Sequence, residues 1–245
     1  MSAVIDLLKS HRSIRKFTSQ PISEELFQQL IEAGQAAATS SFLQGSTIIR
    51  VRKPETRKQL AQLAGNQPYV ESAAEFLVFC ADLKRAGNYC REYGKPFEGD
   101  FTEHFIIATV DVALMAQSLV TAAESVELGI CYIGGIRNNP REVSDLLQLP
   151  KGVYPVFGLC LGYPDQNPEL KPRLPMPVIL KDEVYNEEGD AEAISDYDEA
   201  IREYYRTRTG GGHGISWSEQ VSVLLSEKAR PHMKEFLAQQ GFIFR

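Results

Sequence analysis

Residues 101–128 contain neither proline nor glycine, and apolar side chains recur around much of a helical circumference: Phe105, Ile106, Ile107, Val110, Leu114, Met115, Leu119, Val120, Ala123 and Val126. A helix of that length spans about 40 Å, and one so apolar must be covered on several sides. A membrane span has a similar length, but Glu103, His104, Asp111, Gln117 and Glu124 interrupt every window of ~20 residues that crossing would need. The stretch therefore reads as a central helix that other elements enclose, with a second copy of the chain as a candidate for part of the covering. Gly129 stands where a left-handed cap would end it.

With 245 residues, 43% hydrophobic and 24% charged, the chain can bury a sizeable core around such a helix. The balance of 26 basic and 32 acidic side chains gives a net charge of -6, which argues against a nucleic acid or an anionic membrane held by a broad basic field. Any anion site must be local. Cys80, Cys90, Cys131 and Cys160 form no CxxC pair and no His/Cys spacing suited to zinc, so they read as reduced cysteines, and no metal site is expected. Residues 1–6 lack a charged lead followed by a long apolar run, which makes the cytoplasm the expected location.

The remaining pattern alternates helices and strands. Val4, Ile5, Leu7 and Leu8 have the spacing of a short helix over residues 3–9. Ser23 with Glu24 and Glu25 signals a helix start, and Leu26, Phe27, Leu30 and Ile31 mark its buried side. Strands are expected at 46–51, 75–81, 130–136 and 156–161, and helices at 54–64 and 140–147. Residues 82–100, charged and carrying Gly87, Gly94, Pro96 and Gly99, read as a mobile excursion. Beyond Lys181 the sequence turns acidic, then helical over 195–207. Residues 217–240 read as a further helix interrupted by Pro231 and expected to wrap a partner subunit.

Chemistry-bearing residues gather in a few places. His11, Arg12, Ser13, Ile14 and Arg15 put two guanidiniums, an imidazole and a hydroxyl within one short segment, suited to a phosphate or the acceptor edge of a heterocycle; a basic loop at a helix end would look similar. Ser40, Ser41, Phe42, Leu43 and Gln44 offer hydroxyls and an amide after a run of alanines, as a plain loop also would. Gln67 and Tyr69 set an amide beside a ring in a turn. Ile133, Gly134 and Gly135 close a strand in two glycines, where a flat ligand can lie against backbone or the chain can simply turn. Lys171 and Arg173, stiffened by Pro168, Pro172 and Pro175, form a second basic pair on extended backbone. No GxGxxG, GxxxxGK[ST] or GxSxG pattern occurs.

Taken together, in this order and at these spacings, the segments 11–15, 40–44, Gln67, 132–136 and 171–175 resemble the FMN-dependent nitroreductases, in particular their NADPH-preferring flavin and nitro reductase branch, over essentially the whole chain. The resemblance implies an α+β fold with a mixed central sheet, formed by a single domain over 1–245 whose core is 1–180 and whose extension, 181–245, wraps the partner in an intertwined homodimer with FMN at the interface. It implies that His11, Arg12, Ser13, Lys171 and Arg173 serve the FMN phosphate and ribityl region and that Arg15 reaches the pyrimidine edge of the ring. Gln67, Tyr69 and the 133–135 backbone would flank the ring, and Ser40 and Ser41 would come from the other subunit. Arg208, followed by His213 in a glycine-rich loop, resembles the group that engages NADPH; a missing second basic residue there leaves NADH open as a donor. The implied activity is ping-pong reduction of nitroaromatics, quinones, azo compounds or free flavin, with hydride transfer by the cofactor and no protein nucleophile. A flavin-binding or flavin-supplying module with little turnover of such acceptors is the alternative.

Overall fold

Four strands, β1 (Ser46–Arg50), β2 (Glu75–Asp82), β3 (Gly129–Ile133) and β4 (Val153–Gly162), form one sheet in the order β1-β2-β4-β3, every neighbouring pair antiparallel. Among the described residues, the parallel component expected of a mixed sheet is confined to one bridge, Ser13 with Ile130, outside the named strands. β2 is buried along its whole length, as a continuous apolar run requires of a central strand covered on both faces. In the computed structural model, residues 2–97, 99, 101–208, 214–227 and 229–242 are described. They fall into two units, Met1–Asn167 with His232–Arg245, and Pro168–Pro231.

In the first unit, the helices before the long one are α1 (Ala3–Lys9), α2 (Glu24–Gln35), α3 (Pro54–Leu63), α4 (Tyr69–Ser72) and α5 (Lys84–Glu92). Ser23 caps α2 as expected, its hydroxyl accepting from the Leu26 amide at 3.2 Å. Helix α5 corrects the reading of residues 82–100 as a mobile excursion. Its lone glycine, Gly87, is buried under the Phe97 ring, 3.0 Å from where a Cβ would sit, and Arg85 donates to the Thr47 hydroxyl at 2.7 Å, so a segment that looks unstructured by composition is packed.

The long helix α6 (Thr102–Ser125) buries Ala108, Asp111, Val112, Ala116, Leu119, Val120 and Ala123, against the sheet and α2. It is long and apolar enough to cross a membrane by length and composition, yet this side is filled by the protein's own core. Its end differs from expectation. Glu127, not Gly129, takes the left-handed conformation, at φ 63°, and the Leu128 amide returns to the Ala123 carbonyl at 3.0 Å, the Schellman closure. Gly129 opens β3 and is small for a different reason: a Cβ there would lie 2.6 Å from Ile14 Cγ1.

Two clusters of buried apolar residues cover the faces of the sheet: one includes Leu77, Phe79, Leu119 and Leu159, the other Leu60, Val70, Phe76 and Ile133. α7 (Pro140–Leu146) closes the second side. In the second unit, α8 (Met176–Ile179), α9 (Asp190–Thr207) and α10 (Trp217–Ser226) pack together, and α9 begins earlier than the expected 195 because Gly189, at φ 76°, turns the chain just before it. The Ser216 and Glu219 side chains cap α10 reciprocally, at 3.1 and 2.7 Å. The helix expected over 217–240 is interrupted as read, α10 ending at Ser226 and α11 (Met233–Gln239) starting after Pro231. α11 belongs to the first unit, where Phe236, Leu237 and Phe242 join the core, Phe242 packing edge-on to Phe105 and Tyr154 at 5.9 and 5.2 Å.

Candidate functional site

The segment 13–18 runs extended beside the sheet. Ile14 donates its amide to the Ile130 carbonyl at 2.8 Å, Thr18 to Tyr163 at 2.9 Å, and Asp165 donates to Lys16 at 2.9 Å. Ile14 is buried at 5% exposure. By the alternation of an extended chain, Ser13 and Arg15 therefore project to the opposite side. The steric need for Gly129 is now plain: it admits Ile14 and so sets the register that turns Arg15 outward.

Arg15 meets a small polar relay. Its charge acts on the Tyr69 hydroxyl, which donates to Gln67 Oε1 at 2.9 Å, while Gln67 Nε2 donates to the Ala64 carbonyl at 2.9 Å. Burial pushes the Tyr69 phenol above its ordinary range, and the Arg15 charge offsets only part of that. The phenol therefore stays protonated and orients the guanidinium as a neutral partner. Gly135 touches the same relay: a Cβ there would lie 2.1 Å from the Ala64 oxygen and 2.9 Å from Gln67 Nε2. The two glycines differ in what confines them. Gly135 is buried and is glycine because its own chain crowds it, whereas Gly134, with only the Arg137 guanidinium at 3.6 Å, faces open space.

Toward the start of the segment, His11 Nδ1 lies 2.6 Å from Glu124 Oε1, and Arg12 donates to the Ser10 carbonyl at 3.3 Å and to Asn167 Oδ1 at 2.6 Å. Ser10, Arg12, Glu124 and Asn167, with Ile14 and Gly129, border a hollow of about 490 Å³. Ser40 and Ser41 sit elsewhere in this unit, after α2, exposed on a tight turn tied to α6; no described contact joins them to the Arg15 relay.

In the second unit Lys171 donates to the Tyr205 hydroxyl at 2.7 Å and stands over its ring at 5.1 Å, while Arg208 Cζ lies 5.6 Å from the same ring. Arg173 donates to the Lys171 carbonyl at 3.1 Å. Residues expected to serve two different ligands thus share one aromatic scaffold. His213 lies outside the described residues. Three participants escaped the sequence reading: Tyr205, Glu124 and Asp111. For the last two a signal was available, since a carboxylate set into an otherwise apolar helix needs a partner.

The charges of this set are its clearest chemical property. Arg50, Arg52, Arg85, Arg202 and Arg206 are all paired with carboxylates. Among the described residues, Arg15, Lys171, Arg173 and Arg208 have no carboxylate within ion-pair distance, although the chain is acidic overall; the hydrogen bonds described for Lys171 and Arg173 go to neutral groups. Cations kept clear of acids retain their full attraction for an anion. A flavin mononucleotide offers a phosphate, which Lys171 and Arg173 suit, and a hydrogen-bonding pyrimidine edge, which Arg15 suits. Among the described residues no group of three or more His, Cys, Asp or Glu could hold a metal ion.

The model of the nitroreductase family matches residues 8–163, and that of the nitroreductase family C-terminal domain matches residues 171–245. The chain is 46% identical to the NADPH-flavin oxidoreductase of Vibrio harveyi and 43% identical to the oxygen-insensitive NADPH nitroreductase of Salmonella typhimurium, each over 100% of both chains. Its structure superposes on NADPH:FMN oxidoreductase from Vibrio harveyi complexed with NAD+ with a TM-score of 0.91 over 100% of both chains, at 45% identity.

Proposed function

This chain belongs to the nitroreductase family, and on that ground we propose that it is an FMN-containing, NADPH-dependent oxidoreductase acting on flat, electron-poor acceptors: nitroaromatics, quinones, azo compounds and free flavin. The observation that carries the reading is the set of basic residues free of carboxylates, Arg15 in the first unit and Lys171, Arg173 and Arg208 in the second. When bound, FMN supplies the hydride chemistry itself. The protein's part is to bind, orient and tune. Arg12, Ser13 and Arg173, with His11 and Lys171 nearby, hold the phosphate end. Arg15, aligned by Tyr69 and Gln67, brings a positive charge to the pyrimidine edge, where it favours the electron-rich state of the ring. The backbone of Ile133, Gly134 and Gly135 borders the ring, and Ser40 and Ser41 reach it from a second copy of the chain. Arg208 and His213 engage NADPH, with NADH as a second donor.

The working form is a homodimer in the cytoplasm. Support for the dimer comes from an exposed apolar stripe on α6, with Ile106 and Val110 at 48% and Leu114 at 46% exposure, and from Val4, Ile5 and Leu8, exposed on α1. A monomer would leave these apolar side chains in water. The domain division that fits this reading is a core over 1–180 and an arm over 181–245, with α11 returned to the core.

The test is the visible spectrum of the purified protein, recorded without oxygen before and after NADPH and then NADH. A bound-flavin spectrum that bleaches with NADPH supports the reductase. Uptake without bleaching would favour a binding module, and no uptake of supplied FMN would overturn the assignment.

A further inference from the structure

The turn after α2 is held in an arrangement that its sequence does not favour. Ser41, Phe42 and Gln44 have φ of 49°, 56° and 52°, the left-handed region that non-glycine residues avoid. Phe42 is 80% exposed and Ser40 and Ser41 are exposed as well, so no burial of their side chains repays the strain. Strain of this kind persists only where surrounding structure over-determines it, and it concentrates at functional positions. The restraint is visible. Asp111, 1% exposed in the middle of α6, accepts the Ser40 amide on Oδ1 at 3.0 Å and the Gly45 amide on Oδ2 at 3.2 Å. One carboxylate thus ties both ends of the turn to the long central helix α6.

We propose that Asp111 is a positioning residue for the cofactor: its buried carboxylate clamps the 40–45 turn and thereby presents the Ser40 and Ser41 hydroxyls to FMN across the dimer. The inference rests on the FMN reading above and adds to it a residue that touches neither cofactor nor substrate. A carboxylate is required because both facing groups are amide donors. Asparagine has the same shape but one donor end, so it leaves one of the two amides facing an N–H.

The experiment compares FMN affinity, by fluorescence titration of the apoprotein, in the intact chain and in Asp111→Asn, Ser40→Ala and Ser40→Pro. Proline at position 40 removes the amide that donates to Asp111, and the preceding Thr39, at φ -131° and ψ 150°, already has the backbone that a following proline demands. Ser40→Ala removes only the hydroxyl. Asp111→Asn is expected to weaken FMN binding about ten-fold, and Ser40→Pro by clearly more than Ser40→Ala. The absorption of the bound flavin should move toward that of free FMN in Asp111→Asn and Ser40→Pro. Ser40→Pro also leaves Asp111 Oδ1 without its amide, so its apoprotein should melt below that of Ser40→Ala; the shift in bound-flavin absorption is the readout that a merely structural role for the clamp would not move. If Asp111→Asn folds poorly, the difference between the two Ser40 variants decides. Equal FMN affinity in Ser40→Pro and Ser40→Ala, or wild-type affinity in Asp111→Asn, would overturn the proposal while leaving the FMN reading intact. A wild-type protein that takes up no FMN would overturn both.

Discussion

Replacing Gly135 by alanine tests how tightly the site is built into the fold. The added methyl would lie 2.1 Å from the Ala64 carbonyl oxygen and 2.9 Å from Gln67 Nε2, and no rotamer change can relieve a clash with backbone. Either the 134–138 turn or the end of α3 must move, at a cost of about 2–3 kcal/mol for overpacking of this kind. In a chain of this size, each kcal/mol lowers Tm by about 2–4 °C, so melting should fall by roughly 4–12 °C. The same shift displaces Gln67 from its 2.9 Å bond to Ala64, which frees Tyr69 and then Arg15, so FMN affinity should fall as well. Gly134→Ala is the control. Its methyl meets nothing nearer than the Arg137 guanidinium at 3.6 Å, so melting should be unchanged while FMN binding suffers if the ring lies there. The assay is thermal melting of the apoproteins, followed by FMN titration. A Gly135→Ala protein that melts like wild type would refute the argument that this contact fixes the geometry.

Other outcomes follow from the same geometry. Arg15→Ala should weaken FMN binding at least ten-fold, the loss of a charge-assisted bond, whereas Tyr69→Phe, which keeps the charge and loses only its alignment, should cost less; equal losses in titration would contradict the relay. Arg57 donates to the Val51, Ala73 and Ala74 carbonyls at 2.9, 2.6 and 3.1 Å, so Arg57→Met should destabilise by about 2–3 kcal/mol, read from denaturant midpoints, with no direct effect on charge at the site. Burial pushes the Tyr154 phenol up to about 12, against an unfolded value near 10. Between those values the unfolded chain has released a proton that the folded chain still holds, so stability is fully present below about pH 10 and declines as pH rises toward 12. Tyr154→Phe should make that alkaline decline shallower, and an unchanged slope in melting against pH would argue against the burial effect.

The segments most legible in the sequence were those whose signal is local. Ser23 capped α2, the run at 75–81 became the central strand, and Pro54 and Pro140 opened helices, because capping, alternation and fixed φ act over a few residues. The long apolar stretch likewise determined a central helix, and the motifs over 11–15, 40–44 and 171–175 carried the family resemblance. Tertiary contact decided what those signals do not reach. Gly129 and Gly135 read as a cap and a ligand platform, but each is small because another part of the chain, Ile14 or Ala64, occupies the space a side chain would need. The helix at 84–92 was missed because the Phe97 ring over Gly87 supplies the packing that its polar sequence lacks. Asp111 registered as an interruption of an apolar stretch, and only the fold shows the two amides, contributed by a turn far away in the chain, that make a buried carboxylate stable there. Residue types and their order set the chemistry available to this protein; which groups meet, and in what protonation state, depends on packing between distant segments, for which the sequence carries no local signal.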